Sequence, residues 1–265
     1  MGYGVYKGAF TPLREDDVVY SAQSFTVYAV WVTEVTVNLD TDGGTLAAGQ
    51  LPYIKGKTGQ RINVPNPSRI GYTFIRWKDE KGGTSELGMN NSHSYKIPGD
   101  AGATVTLKAS WVENTYTVRF QKNAVSGVSG DMGAQTFTCG RSAALTACAY
   151  TREGFTFAGW NTKADGSGTS YADGAAVRDL STVAGGSVDL YAKWQPERYT
   201  VSFDANGGTL AAGKEKKTVA FGSPYGELPV PGRADYTFLG WYTEKTGGDR
   251  VTEDAVMERA EGHTL

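Results

Sequence analysis

Short segments in which apolar and polar residues alternate recur along the chain and predict β-strands. One segment occurs at residues 35–39, 116–120 and 199–203, reading Val-Thr-Val-Asn-Leu, Tyr-Thr-Val-Arg-Phe and Tyr-Thr-Val-Ser-Phe. A second occurs at residues 27–31, 107–111 and 190–194 and ends each time on Ala-x-Trp. Strict alternation is typical of a strand with one face in a core and the other in solvent. We call the first segment the opening strand and the second the closing strand.

Turn-forming residues follow the opening strands. Asp42-Gly43-Gly44-Thr45 follows one copy and returns as Asn206-Gly207-Gly208-Thr209 after another. Asp-Gly and Asn-Gly tolerate positive φ and are strong hairpin signals. The stretch that comes next contains prolines, which disfavour a long helix there. These are Pro65 and Pro67 in one copy and Pro224, Pro229 and Pro231 in the other.

The six tryptophans fall on two recurring positions. One series is Trp77, Trp160 and Trp241, separated by 83 and 81 residues, and the other is Trp31, Trp111 and Trp194, separated by 80 and 83. A fixed period of this length is the mark of tandem structural repeats. We therefore expect a chain of modules of about eighty residues, and each complete module should contain one tryptophan from each series.

A third recurring segment, which we call the aromatic signature, occupies residues 71–77, 154–160 and 235–241. The copies read Gly-Tyr-Thr-Phe-Ile-Arg-Trp, Gly-Phe-Thr-Phe-Ala-Gly-Trp and Asp-Tyr-Thr-Phe-Leu-Gly-Trp. Gly159 and Gly240 precede tryptophan, where a β-bulge could re-aim the indole. A small module needs several large side chains to close a core, so we interpret the signature as core. The residues concerned are Phe74, Phe157, Phe238 and the six tryptophans. The alternative is an exposed aromatic face that stacks on sugars.

The repeated motifs together resemble the Listeria–Bacteroides repeat family, which includes internalin B-type repeats. The resemblance covers nearly the whole chain and is strongest from Phe157 to Trp194. It is weaker in the first complete copy, where Arg76 replaces the glycine before tryptophan. The resemblance implies small ubiquitin-like β-grasp modules of the α+β class, in proteins of the bacterial cell surface. Such repeats usually lie between a binding domain and a wall anchor, and the family has no catalytic residues.

The repeat phase divides the chain into four parts. Residues 1–34 are the end of one repeat, 35–114 and 115–197 are complete repeats, and 198–265 form a repeat without its final strand. Only three or four residues connect each closing strand to the next opening strand. Such short links cannot act as flexible tethers, so we expect an array of semi-rigid beads. We interpret each module as mainly β, with one short helix.

Composition and charge argue against two classes of function, nucleic-acid binding and membrane insertion. The chain has 35 glycines, a formal net charge of −2, and no apolar run of the roughly 20 residues that span a bilayer. We therefore expect neither nucleic-acid binding nor direct insertion into a membrane. The first residues lack the basic and apolar regions of a signal peptide, and we expect the sequence to be part of a longer surface protein.

The residues that could carry chemistry are few and scattered. Cys139 and Cys148 are either two small buried side chains or a local disulfide, which would need an oxidising compartment. His93 and His263 lie in different repeats, so no metal site, cofactor or catalytic triad is expected. The residues from Asp204 to Gly208 could suggest a calcium loop, but they fit a hairpin turn better. The run Lys214–Lys217 could touch an acidic polysaccharide, although a solvated loop is the simpler interpretation.

These observations favour a non-catalytic spacer that projects a binding domain from the cell envelope into the extracellular space. The alternative is adhesion, in which the repeats themselves bind a host or matrix protein or glycan. A catalytic domain elsewhere in the parent protein is the third class. Residues 1–31 hold a closing strand without a signature, whereas residues 198–265 hold a signature without a closing strand. We therefore also expect the chain to be loosest at residues 1–31 and 245–265 and to associate head to tail.

Overall fold

The alternating segments form strands whose apolar residues point into a core, as their period of two requires. The structure is a computed structural model that describes residues 2–7, 9–13, 28–88 and 92–265. The chain divides into two units, Met1–Asn114 and Thr115–Leu265, and each is described by itself.

The first complete repeat contains a mixed four-stranded sheet and a smaller three-stranded sheet. Its strands are β4 (Glu34–Asp40), β5 (Tyr53–Lys57), β6 (Arg61–Val64), β7 (Tyr72–Asp79), β8 (Glu86–Leu87), β9 (His93–Lys96) and β10 (Thr104–Glu113). The main sheet has the order β5-β4-β10-β7, and the smaller sheet has the order β6-β9-β8. The opening strand β4 runs parallel to the closing strand β10, with Thr36 opposite Thr104, whereas β7 is antiparallel to β10.

The second complete repeat has the same arrangement with extra short strands. Its strands are β11 (Thr115–Gln121), β12 (Val128–Ser129), β13 (Gln135–Thr138), β14 (Ala143–Ala144), β15 (Thr151–Arg152), β16 (Phe155–Asn161), β17 (Ser170–Tyr171), β18 (Ala176–Val177) and β19 (Gly186–Pro196). The opening strand β11 is again parallel to the closing strand β19, and the signature strand β16 is antiparallel to β19. Strands β14 and β18 form the smaller sheet.

The last repeat keeps the same order with shorter strands. They are β20 (Arg198–Ser202), β21 (Lys216–Ala220), β22 (Trp241–Tyr242), β23 (Arg250–Val251) and β24 (His263–Thr264). The main sheet is β21-β20-β24, in which β20 and β24 are parallel. Strands β22 and β23 form a separate pair, and signature residues 236–240 are not in a strand.

The N-terminal part forms a three-stranded sheet of β1 (Gly2–Lys7), β2 (Ala9–Leu13) and β3 (Tyr28–Val30), in the order β2-β1-β3. Residue 27 of the predicted N-terminal closing strand lies outside the described residues. Of the remainder, Tyr28–Val30 is a strand and pairs with β1.

Each of the three repeats has its own hydrophobic core, and none of these clusters extends into another repeat. The opening strands supply apolar side chains at alternate positions and the signatures supply one buried tryptophan each. The fully or nearly buried members from these two elements are Val35, Val37, Leu39 and Trp77; Tyr116, Val118, Phe120 and Trp160; and Val201, Phe203 and Trp241.

The mainly β prediction is confirmed, but the expected α+β composition and β-grasp helix are not, because the described residues form no helix. In the second complete repeat, backbone N–H groups of the segment between β13 and β16 donate hydrogen bonds to other segments instead of forming a helix. The backbone N–H of Leu145 donates to the carbonyl of Ala175 at 2.9 Å, and that of Cys148 donates to the Asp173 carboxylate at 2.8 Å. These N–H groups are therefore not available to bond the fourth preceding carbonyl, as a helix requires.

Candidate functional site in the aromatic signature

The signature strand carries an extra residue between its phenylalanine and its tryptophan. Phe157 lies opposite Trp194, but Trp160 lies opposite Ala192, so three steps on one strand match two on the other. The first complete repeat has a similar shift between Phe74 and Arg76. A β-bulge of this kind changes the side-chain alternation and turns both aromatic residues toward the core.

The same ring geometry occurs in all three repeats, including the last, whose signature residues 236–240 are not in a strand. The ring centroids of the Phe–Trp pairs are 5.5, 4.9 and 5.5 Å apart, and the interplanar angles are 61°, 63° and 64°. The pairs are Phe74–Trp77, Phe157–Trp160 and Phe238–Trp241. Edge-to-face contacts of this kind are favourable beyond the area that they bury. The Phe–Trp pair is thus a recurring aromatic unit, whose tryptophan is buried in the core of all three repeats whereas Phe238 is exposed.

Gly159 and Gly240 adopt φ values of 107° and 141°, which L side chains rarely adopt. At Gly159 there is also no room, because an added Cβ would lie 2.5 Å from the carbonyl oxygen of Tyr171. The bulge there needs glycine for both reasons. Arg76 takes this position in the first complete repeat, where the extra residue of the bulge is Ile75.

The buried signature tryptophans differ in how the indole N–H is satisfied. Trp77 Nε1 donates to the carbonyl of Pro65 at 3.0 Å, and Trp241 Nε1 donates to that of Pro229 at 2.8 Å. Both acceptors lie twelve residues before the tryptophan. Cys148 occupies that position before Trp160, whose Nε1 is buried without a hydrogen-bond partner among the described residues.

The closing-strand tryptophans add a third ring to two of the units. Trp111 packs 5.4 Å from Phe74, and Trp194 packs 5.8 Å from Phe157. Their indole N–H groups donate to the carbonyls of Thr41 and Lys122, which follow the opening strands. Both tryptophans are half-buried, whereas Trp31 is 77% exposed.

The second glycine of the Asp-Gly-Gly turn makes room for this third ring. An added Cβ on Gly44 would lie 2.5 Å from the Trp111 ring and 2.9 Å from the carbonyl oxygen of Ser68. Its neighbour Gly43 has a φ of 84° and serves the turn itself. The first glycine of the motif is therefore required by the backbone of the turn, and the second by the packing of the tryptophan ring.

One recurring residue escaped the sequence analysis. A guanidinium lies over the first aromatic ring of each signature, at 3.9, 3.8 and 4.0 Å from the ring centroid, through Arg69, Arg152 and Arg233. Cation–π contacts of this type contribute about 0.5–1 kcal/mol when exposed. The arginines have the same spacing as Trp77, Trp160 and Trp241, and that spacing is the signal that could have revealed them.

The residues considered for other chemistry are placed as follows. Cys139 is buried and Cys148 half-buried, and both are free thiols, so the disulfide alternative is not formed in the structure. Burial raises the pKa of Cys148 above its usual value. His93 is buried, with its ring nitrogens 2.7 Å from the Asn66 side chain and 3.1 Å from the carbonyl of Ile75. His263 lies 2.8 Å from the hydroxyl of Tyr225.

The carboxylates of the turns are bound locally. Asp40 and Asp204 each accept a hydrogen bond at 2.9 Å from the backbone N–H two residues later, as a hairpin turn predicts. Within residues 28–88 and 92–265, no group of three or more His, Cys, Asp or Glu side chains is placed to hold a metal. Lys217, at the end of the basic run, donates to the carbonyl of Glu227, and Lys214 and Lys216 are exposed.

The second complete repeat and the last repeat share a bonded junction. The Glu197 backbone N–H donates to the carbonyl of Gly154 at 2.8 Å, and the Phe221 N–H donates to the carbonyl of Glu197 at 2.8 Å. The rings of Phe155 and Phe221 meet edge to face, 5.6 Å apart. An added Cβ on Gly154 would lie 2.3 Å from the Phe221 ring, so glycine is needed for this contact.

The Glu197 carboxylate also joins the two repeats at this junction. It accepts hydrogen bonds from Thr156 Oγ1 at 3.0 Å and from the Tyr199 hydroxyl. These bonds, the one from Tyr199 first, hold the pKa of Glu197 below its usual value. One side chain therefore binds the signature of one repeat and the opening strand of the next.

Comparison with known proteins finds relatives among large bacterial proteins. Two proteins of Evansella cellulosilytica, named as a Gly-rich membrane protein and a membrane protein, are 30% and 29% identical over 86% and 83% of this chain. The alignments cover 24% and 30% of those relatives. Internalin H of Listeria monocytogenes is 34% identical over 38% of this chain and 16% of its own length. The chain thus spans less than a third of these relatives. In the part of the chain that the structure describes, no helix is long and apolar enough to cross a membrane.

The model of the Listeria–Bacteroides repeat domain matches residues 36–100, 116–193 and 199–265. These spans contain the three signatures and most of the opening strands and cores, although Val35, Leu107 and Ala109 of the first core lie outside them. The resemblance expected from the motifs is confirmed, and the chain belongs to the Listeria–Bacteroides repeat family.

Proposed function

We propose that these repeats are a spacer in a bacterial cell-surface protein and hold a binding domain away from the cell envelope. The observation that carries this proposal is the parallel pairing of the opening and closing strands in both complete repeats. The names of the relatives, a membrane protein and an internalin, support a place at the cell surface.

Parallel neighbours run in the same direction, so the chain enters a repeat at one end of the sheet and leaves at the other. In the first complete repeat Thr36 lies opposite Thr104, and the closing strand continues to Glu113. At about 3.3 Å per residue, each repeat carries the chain forward by about 30 Å. Antiparallel first and last strands would instead return it to its starting edge.

The connectors support a semi-rigid array. Within Thr115–Leu265, the junction at Glu197 is held by backbone hydrogen bonds, a carboxylate and two phenylalanines that meet edge to face. The four residues between Trp194 and Tyr199 are too few to act as a flexible tether. Successive repeats in such an array would add their lengths.

Small-angle X-ray scattering of the 265-residue chain tests the spacer. We expect a maximum dimension of about 100 Å, from beads of roughly 30–40 Å. A matched variant with ten Gly/Ser residues inserted between Pro196 and Glu197 should broaden the distance distribution while leaving each repeat folded. A globular particle with a maximum dimension of about 60 Å would contradict the proposal.

The competing adhesion function is tested on the same protein. A spacer binds no particular sugar or host protein through its repeats, so a glycan array and immobilised matrix proteins should give no saturable signal. Saturable binding that a Trp160→Ala variant loses without a change in melting temperature would favour adhesion. Trp160 is fully buried, which supports the spacer because a buried ring is not available to a sugar.

A further inference from the structure

The turn that follows β20 contains the one Asn-Gly step of the sequence, Asn206-Gly207. Both residues are exposed, and their φ values are 44° and 88°. In the first complete repeat, Asp42 occupies the same place with a φ of 47°. Its side chain is 42% exposed although the closing strand β10 is paired there. The turn is therefore open to solvent in a repeat whose closing strand is in place as well.

Two groups of this step, the side-chain amide and the backbone nitrogen that follows it, make no hydrogen bond. In the described part of the chain, neither the Asn206 side chain nor the Gly207 N–H has a hydrogen-bond partner. Gly207 also has no Cβ to shield its nitrogen. The Gly207 nitrogen can therefore approach the Asn206 amide without first breaking a hydrogen bond.

Arg233 lies where negative charge would develop in a reaction between these two groups. Removal of the Gly207 amide proton leaves an anion that is shared between this nitrogen and the Asn206 carbonyl oxygen. Arg233 Nη1 donates to that oxygen at 3.1 Å, and its guanidinium lies over the Tyr236 ring, 4.0 Å from the centroid. A donor fixed in this way stabilises the charge as it develops.

We propose that Asn206 is a site of spontaneous deamidation, promoted by Arg233, which slowly changes the charge of this repeat. The Gly207 nitrogen, after losing its proton to hydroxide, attacks Asn206 Cγ. The Cγ–Nδ2 bond then breaks, Nδ2 takes up a proton and leaves as ammonia, and a cyclic succinimide remains. Water opens this ring at the side-chain carbonyl to leave aspartate, or at the backbone carbonyl to leave isoaspartate.

The first complete repeat shows that the turn accepts aspartate at this position. The backbone N–H of Asp42 donates to Asp40, as the N–H of Asn206 donates to Asp204. Aspartate at position 206 should therefore leave the repeat folded with one more negative charge. Isoaspartate instead adds a carbon to the backbone and displaces the hydrogen bonds to Asp204 and Arg233, so we expect that product to melt at a lower temperature.

Asn123 offers a matched comparison within the same chain. It is also exposed and has a φ of 49°. However, the residue after it is Ala124, whose Cβ shields the backbone nitrogen. Its Nδ2 donates to the carbonyls of Ala164 and Ala192, at 2.9 Å each, and these bonds hold the amide in place. Asn123 should therefore stay intact under conditions in which the Asn206 amide is lost.

Mass spectrometry of the folded chain, incubated at mildly alkaline pH, tests the site. The incubation continues until a synthetic peptide of residues 199–214 has lost most of its amide. Trypsin then releases Asn206 in residues 199–214 and Asn123 in residues 123–141. We expect aspartate and isoaspartate to appear in the first peptide and not in the second, with isoaspartate detected by enzymatic methylation. Asn206→Gln should abolish the change.

Two arginine variants test the contribution of the guanidinium. Arg152 lies over the Phe155 ring as Arg233 lies over Tyr236, but in another repeat. Arg233→Gln should slow the loss of the Asn206 amide and Arg152→Gln should not, with melting curves showing that both variants are folded. Equal rates in Arg233→Gln and the unchanged chain would contradict the role of Arg233. If the folded chain keeps its amide after the synthetic peptide has lost it, the turn protects Asn206 and the proposal is wrong.

Discussion

The indole of Trp160 shows how one sequence position changes the chemistry of an otherwise constant site. Its Phe157 contact reproduces those of the other repeats, yet its N–H lacks the acceptor that Pro65 and Pro229 give to Trp77 and Trp241. A buried donor without a partner costs about 1–3 kcal/mol relative to a bonded one. The second complete repeat thus carries a local cost that its neighbours avoid.

Substitution by phenylalanine should expose this difference. Trp77→Phe removes a ring volume and leaves the carbonyl of Pro65 without its donor, whereas Trp160→Phe removes the same volume and an unsatisfied N–H. We expect Trp77→Phe to lower the free energy of unfolding of its repeat by about 1–2 kcal/mol more than Trp160→Phe does. Native-state hydrogen exchange of β4 and β11 measures each repeat separately.

Trp241→Phe is the internal control for this comparison, because Trp241 donates to Pro229 at 2.8 Å and should behave like Trp77. Equal losses at all three positions would mean that the indole hydrogen bond contributes nothing to stability.

At the scale of residues, the sequence predicted which residues recur but not which hydrogen bonds and packing contacts each one makes. The periods of Trp77 and Trp111 were visible, and their places in the strands follow from alternation. The packing of Trp111 against Gly44 joins residues far apart in sequence and depends on the fold. Trp31 was expected in a core and is exposed in the structure.

At the scale of elements, strand β24 contains a titratable residue, His263, whose protonation is coupled to the stability of the last repeat. Burial lowers the pKa of His263 below its ordinary value of 6.5, and Arg259 adds to this, while Glu261 opposes it. The folded repeat therefore favours neutral histidine. Its stability is complete above the unfolded pKa and falls as the pH drops from about 6.5 toward the lower folded pKa.

Melting followed between pH 5 and pH 8 tests this linkage. We expect the transition of the last repeat to move to lower temperature below about pH 6.5, and His263→Gln to remove most of that dependence. Glutamine keeps a polar group near the Tyr225 hydroxyl but does not titrate. If the pH dependence of melting remained in His263→Gln, another titratable group would be its cause.

The strands themselves were largely predictable, whereas their partners were not. Alternation located the opening and closing strands, and the glycine before tryptophan indicated a bulge that the structure contains. The parallel pairing of β4 with β10 joins segments about seventy residues apart, which local patterns do not report. The expected helix came from family resemblance, and the backbone bonds of Leu145 and Cys148 to other segments exclude it there.

At the scale of the whole molecule, the last two repeats belong to one compact unit, Thr115–Leu265. Phe221 contributes to this unit, because it covers Gly154 and Phe155 in the preceding repeat. The repeated sequence motifs gave no sign of this contact.

We expect Phe221→Ala to uncouple the last two repeats. Loss of a partly buried aromatic contact should separate one cooperative unfolding transition of residues 115–265 into two, with the last repeat melting first. Differential scanning calorimetry with hydrogen exchange measures this. Val183→Ala, at an exposed site away from the junction, is the control and should leave the transition unchanged.

The parallel pairing of first and last strands has a consequence under mechanical load. Tension along the array pulls the opening strand and the closing strand of each complete repeat in opposite directions along their common axis. In the first complete repeat this force is shared by the whole ladder from Thr36 to Lys108, so its hydrogen bonds must break together in shear and not one after another. Resistance to forced unfolding is then set by the unfolding rate, not by equilibrium stability. A repeat of modest stability can therefore hold under a pull that would peel an antiparallel pair apart.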